Sequence, residues 1–241
     1  MSMFPPAAVE ALAPRGTLRA AINLGNAVLA KREDSGALSG VTVTLAQELA
    51  ERLGRPLELV PFDGAGKVVA SAREDLWDIA FLAVDPLRAE EIAFTAPYVL
   101  IEGVYVVGAD SRYNSVADVD SPGTRIAVGQ NSAYDLHLAR ALKAAERVHF
   151  ETASNPLARF VEHGLEVGAG IRQPAVAFVA ANPGLRLIDE PFMQIQQAMA
   201  TKPGRPEALA ALEAFLVDVK ASGVLREALI AAGQDVALQA P

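Results

Sequence analysis

The chain has no cysteine in its 241 residues, so it can form no disulfide, no thiolate nucleophile and no sulfur-rich metal site. Histidine is scarce as well. His137, His149 and His163 are scattered, without the His-x-x-x-His or His-Glu-x-x-His spacing that gathers ligands around an ion. No metal is therefore expected. Basic residues are outnumbered, 21 Lys plus Arg against 29 Asp plus Glu, for a net charge of -8. No dense basic run supplies the footprint that neutralises phosphates, which excludes nucleic acid as a partner. Also missing are a Gly-x-Ser-x-Gly elbow, a phosphate loop and a Gly-x-Gly-x-x-Gly after a strand; Gly64-Ala-Gly66 lacks the remaining spacing. No cofactor is expected, and no residue is assigned a catalytic role. No segment approaches the roughly 20 apolar residues of a membrane-spanning helix, so no membrane insertion is expected. Met1 to Ala20 carries Pro5, Pro6 and Pro14 in place of the basic head and apolar run of a signal peptide.

What the chain does have is apolar mass. At 51% hydrophobic residues it can bury a large core, as one α/β unit or as two lobes of about 100 residues. Short apolar runs alternate with segments of helical period, the pattern of a mainly parallel sheet covered by helices. Thr17 to Ile22, Leu57 to Pro61 and Asp78 to Ala83 read as strands. Between the first two, Thr44 and Gln47 have capping-box spacing, Leu45, Leu49 and Leu53 form one face, and Gly54 supplies a stop. A helix is expected near Lys67 to Glu74. Tyr98 to Val107 is a long β-rich run, able to pass from one lobe to another. A second α/β series follows: a turn at Asp118 to Gly123, a strand at Thr124 to Val128, a helix at Ser132 to Ala145, then Asn155 to His163, Val167 to Ile171 and Pro174 to Ala181. Gln194 to Ala200 reads as a strand. Gly204 to Gly233 holds two amphipathic helices parted by Gly223, with Leu209, Leu212, Phe215, Leu216 and Val219 on one face.

Arg88 follows the Asp78 strand in a turn marked by Asp85-Pro86, close to Ala83 at the strand's end. Its planar fork could hold a carboxylate with two parallel hydrogen bonds; a surface pair with Glu90 or Glu91 is the plainer alternative. Ser132, preceded by Asn131, is placed to start a helix, where its hydroxyl and the N–H groups of Ala133 and Tyr134 could meet an anion. It could equally be an ordinary cap, and one residue can be both. Phe62, Trp77, Phe81, Tyr134 and Phe192 are aromatic residues that could line a cleft or fill a core, with Phe81 the best placed for the former.

Four segments together resemble a known family: Gly40-Val-Thr-Val-Thr-Leu-Ala-Gln-Glu-Leu-Ala-Glu-Arg-Leu-Gly54; Trp77-Asp-Ile-Ala-Phe-Leu-Ala-Val-Asp-Pro-Leu-Arg88 running on to Phe94-Thr-Ala-Pro-Tyr98; Thr124-Arg-Ile-Ala-Val-Gly-Gln-Asn-Ser132; and the amphipathic helix ending Lys220-Ala-Ser-Gly223. From Gly16 to Gly233 the chain is similar to the extracellular solute-binding proteins of polar amino-acid uptake, family 3. The resemblance implies an α/β, two-lobed type II periplasmic-binding-protein-like fold with a hinge and an inter-lobe ligand cleft. Residues 1–107 and 195–241 would form lobe one and 108–194 lobe two, with crossings near Val106 to Ala109 and Phe192 to Gln196. It implies a periplasmic location and an ABC transporter permease as partner, although the missing signal peptide leaves a cytoplasmic sensing module open.

Arg88, Ser132, Asn131, Ala83, Phe81, Asn23 and Ala133 are the ligand-binding residues that the resemblance implies. Arg172 stands where relatives carry an Asp that holds a ligand ammonium. If Arg172 faces the ligand, a dicarboxylate or other organic anion is expected; if it turns outward or pairs with Glu166 or Glu190, other groups set the preference. The loop Asn23-Leu-Gly-Asn26 lacks the family's aromatic lid, leaving Asn23 or Asn26 to bond a small polar ligand. A dehydratase acting on cyclic acids is the enzymatic alternative, and it would need a carboxyl such as Glu102 or Glu166 beside the bound anion.

Overall fold

The computed structural model describes residues 4–151 and 155–241. The chain divides into two compact units, Met1–Leu100 with Gln196–Pro241, and Ile101–Ile195. The first passage therefore lies near the middle of a long strand, upstream of Val106 to Ala109.

In the first unit, α1 (Pro6–Leu12) precedes β1 (Leu18–Asn23), a small hairpin of β2 (Lys31–Arg32) and β3 (Leu38–Ser39), then α2 (Val41–Leu53), β4 (Leu57–Phe62), α3 (Ala65–Ala70), β5 (Ile79–Ala83) and the single turn α4 (Pro86–Ala89). β6 (Ala93–Gly108) then leads into the second unit. Leu45, Leu49 and Leu53 are buried and Gly54 closes α2 at φ 62°, as the sequence pattern predicts. Thr44, however, is not a cap. Gly40 precedes the helix at φ 116°, and Thr44 lies inside it, its hydroxyl 3.3 Å from the Gly40 carbonyl. Glycine is required there, because a Cβ would stand 2.4 Å from the Leu29 carbonyl oxygen.

β1 runs parallel to β4 and β5, in register Asn23 with Phe62 and Ala21 with Ala80. All five residues of β5 are buried, the continuous apolar run of a strand covered on both faces. Trp77, fully buried, donates its indole N–H to the Ser71 hydroxyl at 3.0 Å.

In the second unit come α5 (Val116–Val119), β7 (Arg125–Gly129), α6 (Ala133–Ala141), β8 (Glu146–Phe150), α7 (Pro156–Glu162), β9 (Val167–Ile171) and α8 (Arg172–Ala181). β7 is parallel to β8 and β9, whereas β6 is antiparallel to β9, pairing Gly103 with Ile171. β8 was not expected: the predicted helix from Ser132 ends at Ala141 and the chain turns back into a strand. β10 (Leu185–Thr201) begins nine residues before the predicted strand and returns to the first unit, where it pairs antiparallel with β5, Gln197 opposite Ala83. α9 (Pro206–Ala221) and α10 (Val224–Ala231) complete that unit. Gly223 separates them at φ 87°, and Leu212, Phe215, Leu216 and Val219 are buried.

Candidate functional site

Parallel strands deliver their carboxyl ends to one edge of a sheet, and open α/β proteins bind ligands beyond that edge. In the first unit the register brings the ends of β1, β4 and β5 together, so Asn23, Phe62 and Ala83 share it. Ala83 leads into the turn of α4. Asp85 caps it, accepting the Leu87 N–H at 2.9 Å, and Pro86 fixes its first helical position. This turn folds Arg88 inward. The residue is only 3% exposed, and Nη1 donates to the Ala83 carbonyl at 2.9 Å. Burial pushes the guanidinium down to about 10 while Asp85 pulls the other way, so it remains charged near neutrality. Glu91, one of the two acids offered as an alternative surface partner, is held by Arg73 at 2.8 Å.

Asn23 caps its own loop, its carbonyl oxygen accepting the Gly25 N–H at 3.0 Å, and Asn26 does the same for Val28 at 3.3 Å. Phe81 is 2% exposed and meets Tyr98 edge-on, with ring centroids 6.1 Å apart. Trp77 lies in the core, and Phe192 stacks on Tyr105 in the second unit at 4.4 Å. A hollow of about 560 Å³ in the first unit, lined in part by Lys31, Glu33, Thr44 and Gln47, includes none of the candidate ligand-binding residues.

The second unit has its own carboxyl edge. α6 starts directly beyond β7, α8 directly beyond β9, and these strands are neighbours, about 4.8 Å apart. Ser132 is the cap of α6, its hydroxyl accepting the Asp135 N–H at 3.1 Å. Asn131, at φ 58°, in turn donates its N–H to the Asp135 carboxylate at 2.8 Å. Ala133 and Tyr134 stand in the first turn, where helical N–H groups have no partner within the helix. Asp135, nearly buried, also contacts Arg147 and lies 3.0 Å from His149 Nε2. Ser132 is thus the cap that the sequence allowed, and the spacing Ser132-x-x-Asp135 is its local signature.

Arg172 is the first residue of α8. It pairs with neither Glu166 nor Glu190. Its Nε donates to Glu102 Oε2, Nη1 to Asp189 Oδ1 at 3.1 Å, and Nη2 to the Asp189 carbonyl. Glu166 instead accepts from the Arg125 N–H, Nε and Nη2 at 2.8, 2.9 and 2.8 Å, which lowers its pKa. It precedes β9, so it belongs to the opposite edge of the sheet. Glu166 is therefore not poised as a proton donor with a raised pKa, Glu102 is engaged by Arg172, and Arg172 brings no unbalanced positive charge to attract a second acid.

The sequence profile of the bacterial extracellular solute-binding proteins, family 3, matches residues 18–230. Among curated proteins, none matches the chain. Several solved structures share the fold. An amino acid ABC transporter substrate-binding protein from Streptococcus pneumoniae, bound to L-arginine, is 23% identical with a TM-score of 0.79, over 92% of this chain and 97% of that one. A cysteine-binding protein from Campylobacter jejuni is 17% identical with a TM-score of 0.80, over 93% and 92%. An ancestral amino acid-binding protein described as a precursor of cyclohexadienyl dehydratase is 22% identical with a TM-score of 0.77, over 91% and 96%.

Proposed function

The chain belongs to the bacterial extracellular solute-binding proteins of family 3, and from that premise we propose that it captures a small amino-acid-like carboxylate for an ABC-type importer. The observation that carries this reading is Arg88: a guanidinium only 3% exposed, folded in at the carboxyl edge of a parallel sheet by a capped Asp-Pro turn. A fork held there meets a ligand carboxylate with hydrogen bonds worth about 1.5–3 kcal/mol each. Ser132 and the first turn of α6 offer donors suited to the same kind of group.

Solved relatives include one bound to L-arginine, one complexed with lysine and a cysteine-binding protein, which favours an amino acid over the dicarboxylate expected from Arg172 alone. The charge argument for a diacid also loses its carrier once Glu102 and Asp189 balance Arg172. Capture without turnover is favoured because Glu166 lies at the opposite edge of the sheet with its pKa lowered by Arg125, and Glu102 is engaged by Arg172. The family description places its members outside the cytoplasm, and the same is proposed here. Among the described residues no helix is long and apolar enough to cross a membrane.

Thermal unfolding against amino acids, monocarboxylates, dicarboxylates and oxo-acids tests the reading. Ligand at 100 times its dissociation constant adds about 2.7 kcal/mol, a rise of roughly 5–10 °C for a chain of this length. The rise is expected with an amino acid and is expected to vanish in Arg88→Ala. An unshifted melt throughout, or an equal rise in Arg88→Ala, would reject the assignment.

A further inference from the structure

The donors that Ser132 and the first turn of α6 offer stand on a loop held in an uncommon backbone. Asn131, just before the cap, has φ 58°, a left-handed conformation that a residue with a side chain keeps where its surroundings impose it. Asp135 does so: its Oδ2 reaches back past the cap and accepts the Asn131 N–H at 2.8 Å, one residue further than the acid of an ordinary capping box. The cap's own N–H is taken by the Gly129 carbonyl at 3.0 Å. A negative charge in the first turn also opposes any anion brought to that turn, and at 3% exposure Asp135 has little water to screen it. The counter-charge comes from β8. Arg147 Nη1 donates to Asp135 Oδ1 at 2.5 Å and to the Asp135 backbone carbonyl at 3.2 Å. His149, two residues on and so on the same face of the strand, places Nε2 3.0 Å from the same Oδ1. The register of β8 on β7 sets Arg147 opposite Ile126 and His149 opposite Val128, so the strand that leads into α6 also aligns the groups that neutralise its acid.

Resting on the binding reading above, we propose that Asp135 and Arg147 are paired positioning residues for carboxylate capture at the start of α6. Asp135 fixes the Asn131–Ser132 turn, and with it the direction of the Ser132 side chain and of the first-turn N–H groups. Arg147 cancels the charge with which Asp135 would repel the ligand. The two are therefore coupled: losing Arg147 alone exposes a ligand carboxylate to the Asp135 charge, whereas losing both charges together does not. Asp135→Asn is neutral and supplies an amide oxygen for the Asn131 N–H, so it keeps the turn.

Isothermal titration of L-arginine, L-lysine and L-cysteine tests this on the wild type, Arg147→Gln, Arg147→Gln with Asp135→Asn, Asp135→Ala, and Asp135→Ala with Asn131→Gly, with a urea denaturation midpoint for each. The wild type is expected to bind at least one of the three. Arg147→Gln should weaken that amino acid roughly tenfold, and adding Asp135→Asn should bring it back to within about threefold of the wild type. Asp135→Ala, which leaves the Asn131 N–H without its acceptor, should weaken binding as well, and Asn131→Gly, which takes the left-handed backbone without strain, should recover part of that loss. A role confined to stability predicts otherwise: affinities that follow the midpoints, with each double variant no better than its single. Double variants that recover no affinity, or a folded Arg147→Gln that binds like the wild type, overturn the proposal; should Arg147→Gln not fold, the comparison of Asp135→Ala with and without Asn131→Gly decides alone. Wild-type binding that persists unchanged in every folded variant leaves the binding reading standing and removes the roles of Asp135 and Arg147. A wild type that binds none of the three removes both.

Discussion

Arg88 carries its charge where little water reaches, and burial of an ion is tolerated only with compensating dipoles or charge. The Ala83 carbonyl and the Asp85 carboxylate supply part of that compensation, and a ligand carboxylate would add to it. Geometry should therefore matter as much as charge. Arg88→Lys keeps the charge and loses the planar fork, so it is expected to weaken carboxylate binding at least tenfold, measured by ligand titration, while the protein stays folded. At Ser132 the roles overlap: Ser132→Ala removes an N-cap worth about 0.5–2 kcal/mol, so it should lower the denaturation midpoint as well as affinity. The placement of Arg88 in a turn at the end of β5 was legible because the Asp-Pro turn and the downstream Phe-Thr-Ala-Pro-Tyr are local patterns. The partners of Arg172 were not, since Glu102 lies 70 and Asp189 17 residues away, and no short-range spacing joins them.

Elements were legible where one periodicity ran uninterrupted. α2 and α9 each keep an apolar face at helical spacing, and β5 is a continuous apolar run. β10 was half hidden because Pro191 and the charged Asp189-Glu190 pair break the alternation, although Leu185–Thr201 forms one strand. The short β8 was masked by an adjoining helical pattern. Entry to α2 rests on one glycine: Gly40→Ala forces a left-handed backbone onto an L-residue and drives Cβ into the Leu29 carbonyl. A loss of more than about 1 kcal/mol is expected in urea denaturation. At the opposite end of β5, buried Asp78 accepts three hydrogen bonds from Arg19, at 3.0, 3.0 and 2.7 Å. Asp78→Ala removes all three and leaves Arg19 only its contacts to Asp75, and is expected to cost about 3 kcal/mol in the same assay.

At the scale of the whole molecule, the first unit is assembled from two distant parts of the chain, Met1–Leu100 and Gln196–Pro241. The long Tyr98 to Val107 run suggested such a passage, but nothing local in the sequence dictates that β10 should pair with β5. Acid is expected to loosen the molecule through carboxylates held below their ordinary range. Asp120 accepts the N–H groups of Ala145, Ala144 and Lys143, and Asp75 is held by Lys202 and Arg19; both pKa values are lowered. A depressed carboxylate pKa contributes stability that is present above the unfolded value, near 4, and is lost as pH falls through the folded one. The denaturation midpoint should hold from pH 7 to about 5 and drop below 4, with a smaller drop in Asp120→Asn. The central claim is that the chain is an amino-acid-binding protein whose ligand carboxylate is gripped by Arg88. Isothermal titration of the stabilising amino acid into wild type and Arg88→Ala tests it most directly: one ligand per chain in the wild type and no binding heat in the folded variant is the predicted result, and equal affinity in the two would contradict it.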